Sequence, residues 1–200
     1  MNVKVSENLI SYGQSSFAQQ VILPVYESVK SVSEKYPYED EPNIEVPYRP
    51  TAFASSFEAL IAAVVFVGGV AVTNVLNDIY AEIFQPSVKR KLQQYINNKN
   101  NSHKYSLALS VNIEGSNNSV LICCTGATIE EIENSEKHID RILSLSTQYF
   151  NEKNDGQVLL FNIDNGKFEM APEIFDSYLN AIDGLKHMYP IKPPTYVKAS

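Results

Sequence analysis

The chain has 200 residues, 44 % of them apolar, and its sixteen Lys plus Arg against twenty-three Asp plus Glu leave a net charge of −7. Such a composition excludes collagen, coiled-coil and wholly disordered chains, and the length admits one domain with appendages or two small ones. Acidity without a basic block argues against nucleic acid as a partner, because that affinity comes largely from Lys and Arg neutralising phosphates.

In chain order, the start MNVKVSENLISYGQ has no apolar stretch behind a basic beginning, so no cleaved secretory signal is expected. From Gln14 to Lys35 the apolar positions Phe17, Val21, Val25, Val29 and Val32 recur at helical spacing, which predicts a helix kinked or broken where Pro24 lacks an amide donor. Residues 36 to 50, YPYEDEPNIEVPYRP, set four prolines and three tyrosines among acids and read as an extended linker or strap.

Residues 59 to 76, ALIAAVVFVGGVAVTNVL, are eighteen uncharged positions. As a helix at about 1.5 Å per residue they reach roughly 27 Å, close to the hydrocarbon thickness of a bilayer. Their apolar side chains are worth about −3 to −6 kcal/mol on an insertion scale. The candidate anchor residues are Leu60, Ile61, Val64, Val65, Phe66, Val67, Gly68, Gly69 and Val72. The same run suits a helix buried in a protein core, and Gly68 and Gly69 would favour close helix packing in either solvent, so an oligomer fits both readings.

Next, Leu76, Ile79, Tyr80, Ile83, Phe84, Val88, Leu92, Tyr95 and Ile96 make an amphipathic stripe in which Pro86 predicts a kink. Lys89, Arg90 and Lys91 follow the apolar run and are the candidate membrane-surface residues. By the positive-inside rule they would place the carboxyl-terminal part in the cytoplasm. The polar stretch 97 to 103 reads as a hinge, giving regions 1–50, 51–97 and 104–190, with 191–200 as a tail.

Beyond the hinge the pattern is α+β. Tyr105, Leu107, Leu109, Val111 and Ile113 alternate with smaller or polar residues as in a half-buried strand, and residues 119 to 124 read as a second, more buried one. Thr128 and Glu131 have the form of a capping box, opening a helix expected to run to about Asn151. Residues 158 to 163 are a third strand. Asp164-Asn165-Gly166 signals a hairpin, Phe168 and Met170 belong to a fourth strand, and Pro172 is expected to open a last helix ending at Pro190. The order is ββαββα, and the hairpins imply antiparallel pairing.

Chemistry is sparse. Cys123 and Cys124 are the only cysteines, and adjacent side chains on a strand point to opposite faces, so they read as reduced core thiols of an intracellular protein. A thiolate nucleophile would need His138 as base. His103, His138 and His187 have no partner at metal-ligand spacing. Gly126 stands between a strand and a helix start, where amides can hold an anion, although the Gly-rich repeat and Lys of a phosphate loop are missing. Glu130, Glu131, Glu133 and Glu136 suit the positive end of a helix dipole. The triplets Asn100-Asn101-Ser102 and Asn117-Asn118-Ser119 fit the glycosylation pattern, which an Asn-rich chain meets by chance, and Pro193-Pro194-Thr195-Tyr196 has the PPxY form read by WW domains. Asn, Ile and Lys usage has a bacterial look.

No catalytic residue, cofactor or metal is assigned. The first expectation is a non-enzymatic, membrane-associated interaction or sensing protein with a cytoplasmic α+β domain. The alternative is a soluble acidic binding or inhibitor (immunity-type) protein of the cytoplasm, facing a basic partner, with 59–76 as a buried core helix. A small hydrolase is the third class.

Overall fold

The structure is a computed structural model that describes residues 4–12, 15–36, 44–45, 57–66, 71–98, 103–113, 117–150 and 156–188. In chain order it places β1 (Lys4–Tyr12), α1 (Ser15–Ser33), β2 (Ile44–Glu45), β3 (Phe57–Phe66), α2 (Ala71–Ile83), α3 (Pro86–Asn97), β4 (Lys104–Ile113) and β5 (Ser119–Gly126). Then come α4 (Ile129–Glu133), a 3₁₀ turn Glu136–His138, α5 (Ile139–Phe150), β6 (Val158–Asp164), β7 (Lys167–Phe168), β8 (Glu173–Phe175) and α6 (Tyr178–Met188). The eight strands among the described residues join one sheet in the order β2-β1-β3-β4-β5-β6-β7, with β8 also on β6.

The α+β class holds, but the sheet is mixed where antiparallel pairing was expected. The β4–β5 hairpin is antiparallel, whereas β3–β4 and β5–β6 are parallel and each pair is joined by a two-helix crossover. Parallel neighbours need such a long connection, and the helical segments after β3 and after β5 supply it.

The expected apolar helix over 59–76 is not formed. Leu60, Ile61, Val64, Val65 and Phe66 lie in β3, Val72 lies in α2, and Val67, Gly68 and Gly69 lie outside the described residues. β3 is paired along its whole length, antiparallel to β1 and parallel to β4 from Phe57 opposite Lys104 to Phe66 opposite Ile113. A strand paired on both sides carries a continuous apolar run, so it imitates a helix in composition. Two successive glycines cost about 1 kcal/mol each in a helix interior, which favours dividing the run there.

Strands from both sides of the polar stretch 97–103 are neighbours in this sheet. The amphipathic stripe is two helices, because Pro86 takes the first position of α3 after Gln85 in an extended conformation. In contrast, α1 runs through Pro24 unbroken. Of residues 36 to 50, Ile44 and Glu45 form β2, parallel to β1, and 37–43 and 46–50 lie outside the described residues, as do the tail and its PPxY segment.

Side-chain alternation on β4 separates two cores. Tyr105, Leu107, Leu109 and Val111 face a layer built from α1, α2, α3, α4 and α5, where Val25, Leu76, Ile79, Tyr80, Ile83 and Ile142 are buried. Ala108, with Leu121, Cys123, Val158 and Leu160, faces α6 through Ala181, Ile182 and Leu185. β5 is buried throughout, so Cys124 belongs to the first core and Cys123 to the second.

The carboxyl-terminal details follow the same local rules. Thr128 and Glu131 form the capping box of α4, which is short and followed by the 3₁₀ turn and α5 in place of one long helix. Asn165 and Gly166 take positive φ values of 50° and 73° between Asp164 and Lys167, the backbone an Asn-Gly turn accommodates. Residues 173–175, expected in the last helix, extend instead as β8 against Val158, Leu159 and Leu160. Helix α6 then closes over β8 at Gly184, where a β-carbon would stand 2.5 Å from the Phe175 ring.

Candidate functional site

An open cleft of about 300 Å³ lies in the helical layer, between α1 and the corner joining α2 to α3. Its floor is built by a helix with a proline inside it. Ser28, only 3 % exposed, donates its hydroxyl to the Pro24 carbonyl at 3.0 Å and accepts from Gln85 Nε2 at 3.1 Å. That second bond fixes the corner, since Gln85 is the residue immediately before Pro86. Val88, the other buried floor residue, comes from α3. Beyond the cleft, Tyr36 donates to Asp78 at 3.3 Å and Lys35 lies 3.8 Å from the same carboxylate, fastening the end of α1 to α2.

The walls carry Glu27 from α1, Glu82 from α2 and Lys91 from α3, with Ser31 and Ser87 between them. Glu27 and Lys91 are exposed and Glu82 is half-buried. Its volume matches the lower end of ligand pockets, which run from about 300 to 1,000 Å³, whereas its lining is more polar than their mostly apolar walls. The Glu27 and Glu82 carboxylates, with the hydroxyls and the Gln85 amide, can hold a cation through charge-assisted hydrogen bonds, and the Lys91 ammonium offsets part of their charge. Among the described residues no group of three or more His, Cys, Asp or Glu could hold a metal ion.

The three basic residues picked out in sequence have different surroundings. Lys89 is half-buried in an ion pair with Glu133 that joins α3 to α4, Arg90 is exposed, and Lys91 lines the cleft. Among the described residues, none of the apolar run lines this cleft.

The thiols and His138 are not brought into a catalytic pair. Cys124 is fully buried and receives the Tyr80 hydroxyl; burial pushes its thiol up from 9.0 to about 12, against the opposing bonds from Tyr80 and Ser135. Burial and the neighbouring Cys124 likewise push Cys123 up, and burial and Cys124 push Tyr80 up. His138 instead has its Nε2 3.1 Å from the Gly166 carbonyl oxygen and its ring 5.8 Å from that of Phe168.

These shifts share a sign. A buried thiol keeps its proton to about pH 12, whereas a thiol of ordinary pKa releases it near 9.0, so between those values the folded chain binds a proton that the unfolded chain has lost. The stabilisation is complete below about pH 9 and falls as pH rises toward 12, by about 1.4 kcal/mol per pH unit for one group. The urea midpoint is therefore expected to drop steeply between about pH 9 and 11, and the Cys123→Ala/Cys124→Ala variant to show a shallower drop. An equal drop in both proteins would exclude the thiols as the cause.

The turn after β5 is not an anion cradle. Glu131 accepts from the amides of Ala127 and Thr128 at 2.7 and 3.3 Å, and Thr128 accepts from that of Glu131 at 3.3 Å, so the Glu131 carboxylate takes the place an anion would occupy there. Gly126 is needed there, because a β-carbon would lie 2.7 Å from Cβ of Glu131. At the same sheet end Lys104 donates to Asp164 and Asn165, each at 3.1 Å, and Thr125 donates to Asn162 at 3.0 Å, which ties β4, β5 and β6 to the Asn-Gly turn. Tyr178 of α6 bonds Asn112 and Ser110 of β4.

Sequence reasoning missed the cleft. Its legible signals were Ser28 four residues after Pro24, where a hydroxyl can reach the carbonyl one turn back, and Gln85 next to Pro86, which marks a corner. The chain matches no family model, no curated protein sequence and no solved structure.

Proposed function

We propose that the protein is a non-enzymatic, acidic binding module that docks a basic protein partner, with the cleft between α1 and the α2–α3 corner receiving an arginine or lysine side chain. The observation that carries this reading is the cleft itself, with Glu27 and Glu82 on its walls and Gln85 tied to Ser28 at its base. A net charge of −7 adds a long-range attraction that speeds encounter with a positive surface. The use of 59–66 in β3 and of 71–76 in α2 supports this reading over a membrane-tethered one, and among the described residues no helix is long and apolar enough to cross a membrane.

Titrating the full chain with a fluorescent octa-arginine peptide tests it. Binding is expected to weaken with added salt, and Glu27→Gln/Glu82→Gln to weaken it about tenfold, the loss of about 1.4 kcal/mol of charge pairing. Glu130→Gln/Glu136→Gln, which removes two exposed acids outside the cleft, is expected to leave affinity within about twofold. Equal losses for the two double variants would reduce the effect to overall charge and refute the cleft.

A further inference from the structure

A second cavity, on the sheet side of the helical layer, contributes nothing to the cleft. Its floor is Tyr105 and Leu107 of β4, its roof includes Tyr95 of α3, and its outer side is closed by Phe84, Leu92 and Ile96. Floor and roof are buried, whereas the three outer residues are half-buried, so this is the side that opens. The Tyr95 and Tyr105 rings meet edge to face at 6.3 Å and brace the interior.

We propose that this cavity binds the branched alkyl tip of a small ligand, an isopropyl or isobutyl group. Size selects the class. The space is about 40 Å³, against about 10–15 Å³ for one water and about 150 Å³ for an engineered cavity that takes a benzene ring. Wall chemistry selects it again, because the lining apart from Ser106 is apolar side chains and aromatic rings, and a water needs two or more polar partners to reside. An alkyl group regains the dispersion contacts that the facing atoms lack while the space is empty. The ligand's polar part stays at the mouth beside Leu92, on the helix that also carries Lys89 and its Glu133 ion pair.

Methyl NMR of the full chain with 2-methylpropan-1-ol as probe tests this, with benzene as the oversized control. The expected result is a saturable shift of the Leu92, Ile96 and Leu107 methyl signals with the alcohol and none with benzene. Leu92→Phe, which fills the mouth, is expected to weaken binding at least tenfold with an unchanged urea midpoint. If that variant is destabilised, Ile96→Phe gives the same reading from the other side of the opening. Shifts that fail to saturate, that spread over unrelated methyls, that appear equally with benzene, or that survive both fillings would each overturn the assignment.

Discussion

Phe161→Ala is expected to remove about 3–5 kcal/mol of stability, the usual cost of emptying a buried aromatic site. Phe161 is 1 % exposed in β6, opposite Ile122 of β5, with its ring 6.2 Å from that of Phe168. It therefore ties the central strands to the hairpin beyond them. Native stability is typically about 5–15 kcal/mol, so the loss is a large fraction of the whole and should lower the melting temperature by about 10 °C. Met170→Ala, at a site 55 % exposed, is the matched control and should shift stability by less than about 0.5 kcal/mol. Urea denaturation reads both, and a Phe161→Ala cost below about 1 kcal/mol would remove Phe161 from the core.

Gly126→Ala is expected to cost about 2–3 kcal/mol although it adds only a methyl group. The new β-carbon would lie 2.7 Å from Cβ of Glu131 and 3.0 Å from its Oε2, and next to the helix start it has little space in which to yield. Moving Glu131 breaks its bonds to the Ala127 and Thr128 amides, which undoes the capping box at the start of α4. Glu131→Ala alone should cost about 1 kcal/mol through the cap. The double variant should cost less than the sum, because the second change removes the atoms the first one strikes. Strict additivity in the denaturation cycle would show that glycine is not required by this contact.

Where one local rule decided a structure, the sequence was legible. Thr128 with Glu131, Asn165 with Gly166, and the alternation from Tyr105 to Val111 each became the predicted element, because capping, turn chemistry and a half-buried strand leave few alternatives. Residues 59–76 failed for the opposite reason. An apolar run of this length suits a strand with neighbours on both sides as well as it suits a membrane helix, so only the glycine pair distinguished them in the sequence. Parallel pairing of β5 with β6 was hidden because hairpins are local and crossovers are not. Ile174 and Phe175 fit a helical face equally well; what assigned them to β8 was the unpaired edge of β6, a tertiary fact. The cleft needed α1 and the α2–α3 corner brought together across more than fifty residues, as in the Ser28–Gln85 bond, which no local pattern encodes.

Cys123 and Cys124 are neighbours in the chain but sealed by different parts of the molecule. Helix α6, through Ala181, Ile182 and Leu185, covers the first; Tyr80 of α2 and the surrounding helical layer cover the second. A disulfide-exchange reagent reaching one sulfur would have passed α6, and reaching the other would have parted the five-helix layer. Adjacent atoms thus keep separate clocks for two partial unfolding reactions: where protection of the two sulfurs decays together the molecule opens as one cooperative unit, and where Cys123 decays first α6 peels away from a sheet that stays closed on its other side.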